Sequence, residues 1–271
     1  MKTLKISSRL LLILILLLPC TSLQAQVILK ANGGNEDAYA HINEALGGTA
    51  CEVPDCIHPV KHITEQYDAE LKEFVFVFQL HAAIDNDRCE KFDRQRTEIK
   101  TYGPSPRNLK GEKGDTYIYE WKFKLDSNFL AQPGFTHIHQ IKAGDGDDGP
   151  PIITLTPRLG KPDILEIIHT SSVDSTTRGK LTTVPLAPFK GTWVQVTEKL
   201  HYETNGTYDI TIKRVSDGLV LLKYSSPNID LWRTGTSFCR PKWGIYRSSK
   251  TPAAIIDECI KFADFSVQRV N

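Results

Sequence analysis

From Phe74 onward, apolar and polar residues alternate with a period of two over most of the chain. That is the pattern of strands with one buried face. In FVFVFQLHA, Phe74, Phe76, Phe78 and Leu80 share one face, and Val75, Val77, Gln79 and His81 share the other. YIYEWKFKL sets Tyr117, Tyr119, Trp121 and Phe123 against Ile118, Glu120, Lys122 and Lys124. Further strands are predicted over 152–156, 164–169, 193–202, 208–215, 220–224, 243–247 and 262–268. Hairpin turns fall at Asn205-Gly206 and Asp217-Gly218. One short helical pattern, over 36–46, comes first and ends at Gly47-Gly48. No helices alternate with the strands, so the expected class is all-β: a two-sheet antiparallel sandwich with a short N-terminal helix. With no internal repeat and no linker, residues 26–271 read as one domain.

The first 25 residues follow a different logic. Lys2, Lys5 and Arg9 lead into LLLILILLL, then Pro19 and a small-residue site at Leu23-Gln24-Ala25. This is the layout of a secretory signal peptide, with cleavage expected before Gln26 and a secreted or periplasmic product that keeps no membrane anchor. Export removes three of the 33 basic residues and none of the 32 acidic ones, which leaves a net charge of −2. A near-neutral chain has no bulk electrostatic reason to bind nucleic acid. Cys51, Cys56, Cys89, Cys239 and Cys259 remain in a compartment that permits disulfides. The odd number leaves at least one thiol unpaired within the chain. The expected bridges are Cys239–Cys259 and one among Cys51, Cys56 and Cys89. No CxxC spacing marks a zinc site, and a monomer is expected.

Three stretches have more polar groups than a core strand needs. In FTHIHQIKAGDGDDGPPIITLTPR, strict alternation puts His137, His139 and Ile141 on one face and Ile138, Gln140 and Lys142 on the other. In QRTEIK, Arg96, Glu98 and Lys100 share a face; three charges cannot point into an apolar core, so they face solvent or line a cleft. In KWGIYRS, Lys242, Gly244, Tyr246 and Ser248 share a face, and Gly244 is expected to leave space for a ligand beside Tyr246. The Asp/Gly loop 143–149 has a calcium-loop composition without the closing Glu, and reads as an acidic turn. A structural calcium elsewhere is the one ion left open, and no metal ligands are assigned.

Taken together and in this order, Arg96-Thr97-Glu98-Ile99-Lys100, Gln140-Ile141-Lys142 and Lys242-Trp243-Gly244-Ile245-Tyr246 resemble three strand motifs of secreted jelly-roll polysaccharide lyases of the alginate lyase type. The resemblance runs over about 74–268 and is nearest to the glucuronan lyase-like branch, polysaccharide lyase family 20. The chain departs from the alginate lyase pattern at Lys142, where a His is usual, at Ser248 in place of a Gln, and at Arg240 in place of a Tyr. The resemblance implies a concanavalin A-like jelly roll whose concave sheet holds an extended uronate polymer, cleaved by β-elimination without an organic cofactor.

That chemistry fixes what a site must supply. The C5 proton of a uronate becomes acidic only when its carboxylate is neutralised by donors aimed at the developing enediolate. Gln140 and Arg96 suit that role, with Lys142 assisting and Glu98 orienting Arg96. A base takes the proton and an acid protonates O4. Tyr246 is the candidate for both, and His81, beside Gln79, is the alternative base. Lys100, Lys142 and Lys242 would attract an anionic chain, with Gln79, Glu98 and Ser248 as further lining. The plain readings are a sheet tyrosine, a solvated histidine and a cross-strand ion pair. The competing function is a non-catalytic carbohydrate-binding protein that stacks sugars on Trp121, Trp193, Trp232 and Trp243. A glycoside hydrolase would need facing carboxylates, and no ExDxE run is present.

Overall fold

The structure is a computed structural model that describes residues 26–34, 37–56, 58–171, 178–252 and 255–270. The expected signal peptide lies outside the described residues. The chain begins with β1 (Val27–Leu29), helix α1 (Ala38–Leu46) and β2 (Cys51–Glu52). It continues through β3 (Ile63–Asp68), β4 (Glu73–Leu80), β5 (Arg94–Lys100), β6 (Thr116–Leu125), β7 (Thr136–Ala143) and β8 (Ile153–Arg158). The remaining strands are β9 (Ile164–Thr170), β10 (Arg178–Pro185), β11 (Val194–His201), β12 (Gly206–Arg214), β13 (Val220–Ile229), β14 (Cys239–Ser248) and β15 (Glu258–Val270). Asp37 caps the helix through Tyr39 N–H.

The strands form two antiparallel sheets. One has the order β13-β12-β11-β6-β15-β4-β3, with β1 also paired to β15; the other has the order β10-β9-β8-β7-β14-β5-β2. This is the jelly-roll sandwich that the alternation and the resemblance imply. The two inner faces meet in one core. Phe76, Phe78, Tyr119, Trp121 and Phe123 come from the first sheet, and Ile99, Ile141, Leu155, Trp243 and Ile245 from the second. Burying each large side chain contributes about 1.5–3 kcal/mol, so the regular alternation of β6 is enough to pin its register.

Three expectations need correction. Phe74 is exposed while Val75 packs with Trp193 and Ala263 on the opposite side, so β4 is buried on both faces rather than one. A disulfide joins Cys56 to Cys89, as expected of one pair among Cys51, Cys56 and Cys89, but the expected Cys239–Cys259 bridge is absent: both are free thiols. Cys239 lies on β14 and Cys259 on β15, in different sheets. Finally, Trp121, Trp193 and Trp243 are core residues and Trp232 packs against the core, which removes the stacking platform of the carbohydrate-binding alternative. Among the described residues, no helix is long and apolar enough to cross a membrane.

Candidate active site

The outer face of the β2-bearing sheet holds a cavity of about 630 Å³ on strands β5, β7 and β14. On β5, alternation sends Gln95, Thr97 and Ile99 inward and Arg94, Arg96, Glu98 and Lys100 outward; Gln95 and Thr97 anchor to the carbonyls of His81 and Gln79. β14 lies between β5 and β7. Its Tyr246 pairs with Arg96 on one side and His137 on the other, while Lys242 pairs with Lys100 and Gln140.

A β-bulge sets this register. Between Trp243 and Tyr246 the β14–β7 ladder slips, so Gly244 and Ile245 oppose the single residue Ile138. The slip undoes strict alternation on β7. His139 points inward, with Nε2 2.9 Å from Glu198, whereas His137 lines the cavity beside Tyr246. His137 is thus a groove residue that period-two reasoning assigns to the wrong face. Gly244 does not open space for a ligand, as the sequence suggests. Its φ is +144°, and a Cβ there would come within 2.1 Å of the Thr97 carbonyl oxygen. The glycine lets β14 press against β5.

Tyr246 is held by charge. Arg94 Nη1 donates to its hydroxyl at 2.9 Å, and the Arg96 guanidinium lies 3.6 Å from the ring centroid. Phe135 packs on the same ring, 4.9 Å between centroids. His137 Nδ1 is 2.8 Å from Thr156 Oγ1.

Beneath this layer is a network of buried ions. Arg96 grips Asp87 through Nε (2.7 Å) and Nη2 (3.1 Å), and Glu98 through Nη1 (2.5 Å). Glu98 is fully buried and also accepts from Gln140 Nε2 and, at 2.9 Å, from Lys242. Glu52 accepts from Lys100 at 2.6 Å and pairs with Lys242. Burial alone would push both carboxyls up, but Lys242 and Arg96, joined at Glu52 by Lys100, hold them below the usual carboxylate range. The groove therefore has fixed anions at its base and cations at its surface.

Among the described residues, eight cations and two carboxylates, Glu52 and Asp148, line the cavity. Arg94, Arg88 and Lys91 are lining residues beyond those the motifs single out, and Arg240, which stands where the motif has a Tyr, lines the cavity as well. Arg94 was legible, because it continues the Arg96, Glu98 alternation by one step. Arg240 is 8% exposed, with Nη1 3.3 Å from the Thr101 carbonyl oxygen and no partner for Nε among the described residues. Lys142, paired across the ladder with Arg240, donates to the carbonyls of Asp148 and Gly149. Burial, reinforced by Lys242, pulls its ammonium down to about 8.

Of the predicted residues, Tyr246, Gln140, Arg96, Lys142, Lys100 and Lys242 meet in one cavity, with Glu98 directly beneath. His81 and Gln79 are not there. They belong to the other sheet and line a separate hollow with Asp126 and Glu258. His81 thus lies away from Tyr246, and the imidazole in the groove is His137. Ser248 pairs with Arg94 at the strand end but does not line the cavity.

Solved structures share this architecture. An endo-beta-1,4-glucuronan lyase from the fungus Trichoderma reesei superposes with a TM-score of 0.54 at 15% identity, covering 81% of this chain and 93% of that one. A family 7 alginate lyase, A1-II', solved in complex with substrate as a His-to-Asn and Tyr-to-Phe variant, gives 0.57 at 15% identity, covering 82% and 92%. The alginate lyase from Klebsiella pneumoniae gives 0.51 at 13%, covering 76% and 84%. The chain has the jelly-roll fold of polysaccharide lyases. No protein-family profile matches it, and neither does any curated protein.

Proposed function

We propose that the protein is an exported polysaccharide lyase that cleaves a uronic-acid-containing polymer by β-elimination. The observation behind this reading is the placement of Tyr246 at the floor of a cation-lined groove, between Arg94 on its hydroxyl, Arg96 on its ring and His137 across the ladder. A neutral glycan would gain only hydrogen bonds from the lining cations; a polyanion also gains steering and charge pairing.

In the proposed reaction, the carboxylate of the cleaved sugar lies against Gln140 and the Arg94–Arg96 pair, which stabilise the enediolate as negative charge moves onto it. As the phenolate, Tyr246 Oη takes the C5 proton and, now a phenol, gives it to O4 as the C4–O4 bond breaks and the C4=C5 double bond forms; His137 is the alternative base. Arg94, already bonded to Tyr246 Oη, stabilises charge on that oxygen during transfer. Arg96 is saturated by Asp87, Glu98 and Glu52, so it works as a fixed charge and a support for the ring rather than as a mobile clamp. Arg240, Lys142, Lys100 and Lys242 extend the positive floor along β14. Arg240 and Tyr246 are six residues apart on that strand, about 20 Å at 3.3 Å per residue, which suits several sugar units. No organic cofactor is required by this chemistry. The N-terminal signal pattern and the Cys56–Cys89 bridge support export to an oxidising compartment.

The deciding experiment is an ultraviolet assay for the unsaturated uronate end, using purified protein on glucuronan, alginate, pectate and a glycosaminoglycan, with a neutral glucan as control. Rising absorbance on a polyanion is expected. Binding to a polymer without absorbance on any of them would overturn the lyase reading in favour of a carbohydrate-binding protein.

A further inference from the structure

A second cluster of side chains lies outside the groove, where the chain leaves β4 for the opposite sheet. His58 and His62 come from the segment between β2 and β3, His81 from the end of β4, and Asp85 from the loop that follows. One donor atom from each lies within 4.8 Å of the other three. Asp85 is central: Oδ1 is 2.9 Å from His58 Nδ1 and 3.0 Å from His62 Nε2, and Oδ2 is 3.1 Å from His81 Nδ1. The three rings stand edge to face, with centroids 4.6 to 5.3 Å apart. We propose that His58, His62, His81 and Asp85 form a binding site for a divalent transition metal, zinc being the best match.

The surroundings are built as ligand supports are built. A metal-bound imidazole usually donates its other ring N–H to a carboxylate, which fixes ring orientation. His62 does this: its Nδ1 is 2.6 Å from Asp55 Oδ1, and Asp55 Oδ2 in turn accepts from Tyr39 Oη at 2.9 Å. The backbone N–H of His81 donates to Asp85 Oδ2 at 2.6 Å, holding the carboxylate in place. The Asp85 carbonyl accepts from Gln95, which ties the loop to β5. Cys56 and Cys89 join the two ligand-bearing segments covalently. His62 and the Asp85 carboxylate are fully buried, whereas His58 and His81 are 20% and 30% exposed and leave a route for an ion.

Donor chemistry selects the metal. Three imidazoles and one carboxylate suit zinc and its neighbours and are a poor set for calcium or magnesium, which prefer oxygen. Tetrahedral zinc, with bonds of about 2.0–2.1 Å, sets ligand atoms about 3.3 Å apart. The present spacing reaches that with small side-chain movements. All four positions are filled by protein, the arrangement of a structural ion rather than a catalytic one. The ligands come as His58/His62 and His81/Asp85, each pair four residues apart, but from separate segments. Neither spacing alone indicates a site, which is why the sequence names none.

The test uses tag-free protein stripped with chelator, dialysed against zinc and passed through gel filtration. About one zinc per chain is expected, together with a rise in Tm on zinc addition. The double variant His58→Ala/His81→Ala, at the two exposed ligands, is expected to retain about a tenth of that zinc or less and to show no zinc-dependent rise in Tm, with an unchanged circular dichroism spectrum. Should that variant not fold, cobalt(II) added to the stripped wild-type protein is expected to give the visible absorption of a four-coordinate site with nitrogen ligands. Wild-type protein that holds no zinc, a double variant that holds as much as wild type, or cobalt spectra of six-coordinate aquo ions would each overturn the assignment. None of these readouts depends on lyase activity.

Discussion

The Arg96 guanidinium lies over the Tyr246 ring, 3.6 Å from its centroid, and the two residues are direct partners on the β5–β14 ladder. The stacking fixes the ring, and the ladder fixes the height of the hydroxyl above the sheet. Arg94, one alternation step away, then meets that hydroxyl.

Tyr246→Phe keeps the ring, the Phe135 contact and the Arg96 stack but removes the oxygen that moves the proton. Turnover is expected to fall by about 10²–10⁴-fold, with polymer binding retained. Arg94→Gln, which removes charge from the same oxygen, is expected to cost about 10²-fold in kcat. Single-turnover absorbance and a separate binding titration check both. Near wild-type turnover by the phenylalanine variant would remove Tyr246 from the mechanism.

The two histidines, which the sequence ranks in the opposite order, can be separated directly. His137→Asn is expected to lower kcat by about 10²-fold or more, because His137 lines the groove opposite Tyr246. His81→Asn is expected to leave kcat within about threefold and to act on Tm instead, because His81 pairs with Asp85 in the histidine cluster outside the groove. The reverse pattern would place the reacting sugar elsewhere.

Lys142 gives the groove a pH dependence. Burial and Lys242 lower its ammonium from the usual lysine range to about 8. It is therefore charged below that value and neutral above it, and a polyanion binds the charged form better. KM is expected to rise as pH climbs through about 8, with kcat less affected. Bound substrate, being anionic, will shift the inflection upward. In Lys142→Gln the inflection near 8 should vanish from the KM profile; if it persists, another group is responsible.

Gly244→Ala tests the bulge. The added methyl would meet backbone atoms, the Thr97 oxygen at 2.1 Å and Glu98 Cα at 2.6 Å, at a φ that disfavours any side chain. A loss of about 2–4 kcal/mol is expected, seen as a Tm lower by about 5 °C or more. Activity should fall further than folding does, since the bulge sets the Tyr246–His137 pairing. An unchanged melt would mean that β14 can shift without cost.

Much of this architecture is written in the alternation of apolar residues. Tyr117, Tyr119, Trp121 and Phe123 could only be an inward face, and Arg96, Glu98 and Lys100 could only be an outward one. The failures have physical causes. Strict alternation puts His137 on the wrong side because parity cannot see a bulge on the neighbouring strand. The sequence brings His81 to the groove because a strand pattern does not say which sheet the strand joins, and β4 joins the other one. β3 and β10 carry polar residues on both faces, ITEQYD and RGKLTTVP, and give a weak periodic signal. The Cys239–Cys259 expectation fails for the same reason as His81: proximity in sequence does not show that β14 and β15 join different sheets.

The tryptophans have one more consequence. With Trp121 and Trp243 wholly enclosed, Trp193 3% exposed and Trp232 half-buried, no indole lines the groove. Intrinsic emission will therefore shift to the red when the two sheets part and stay nearly constant when polymer occupies the cavity, so the protein comes with its own unfolding gauge that is blind to its ligand.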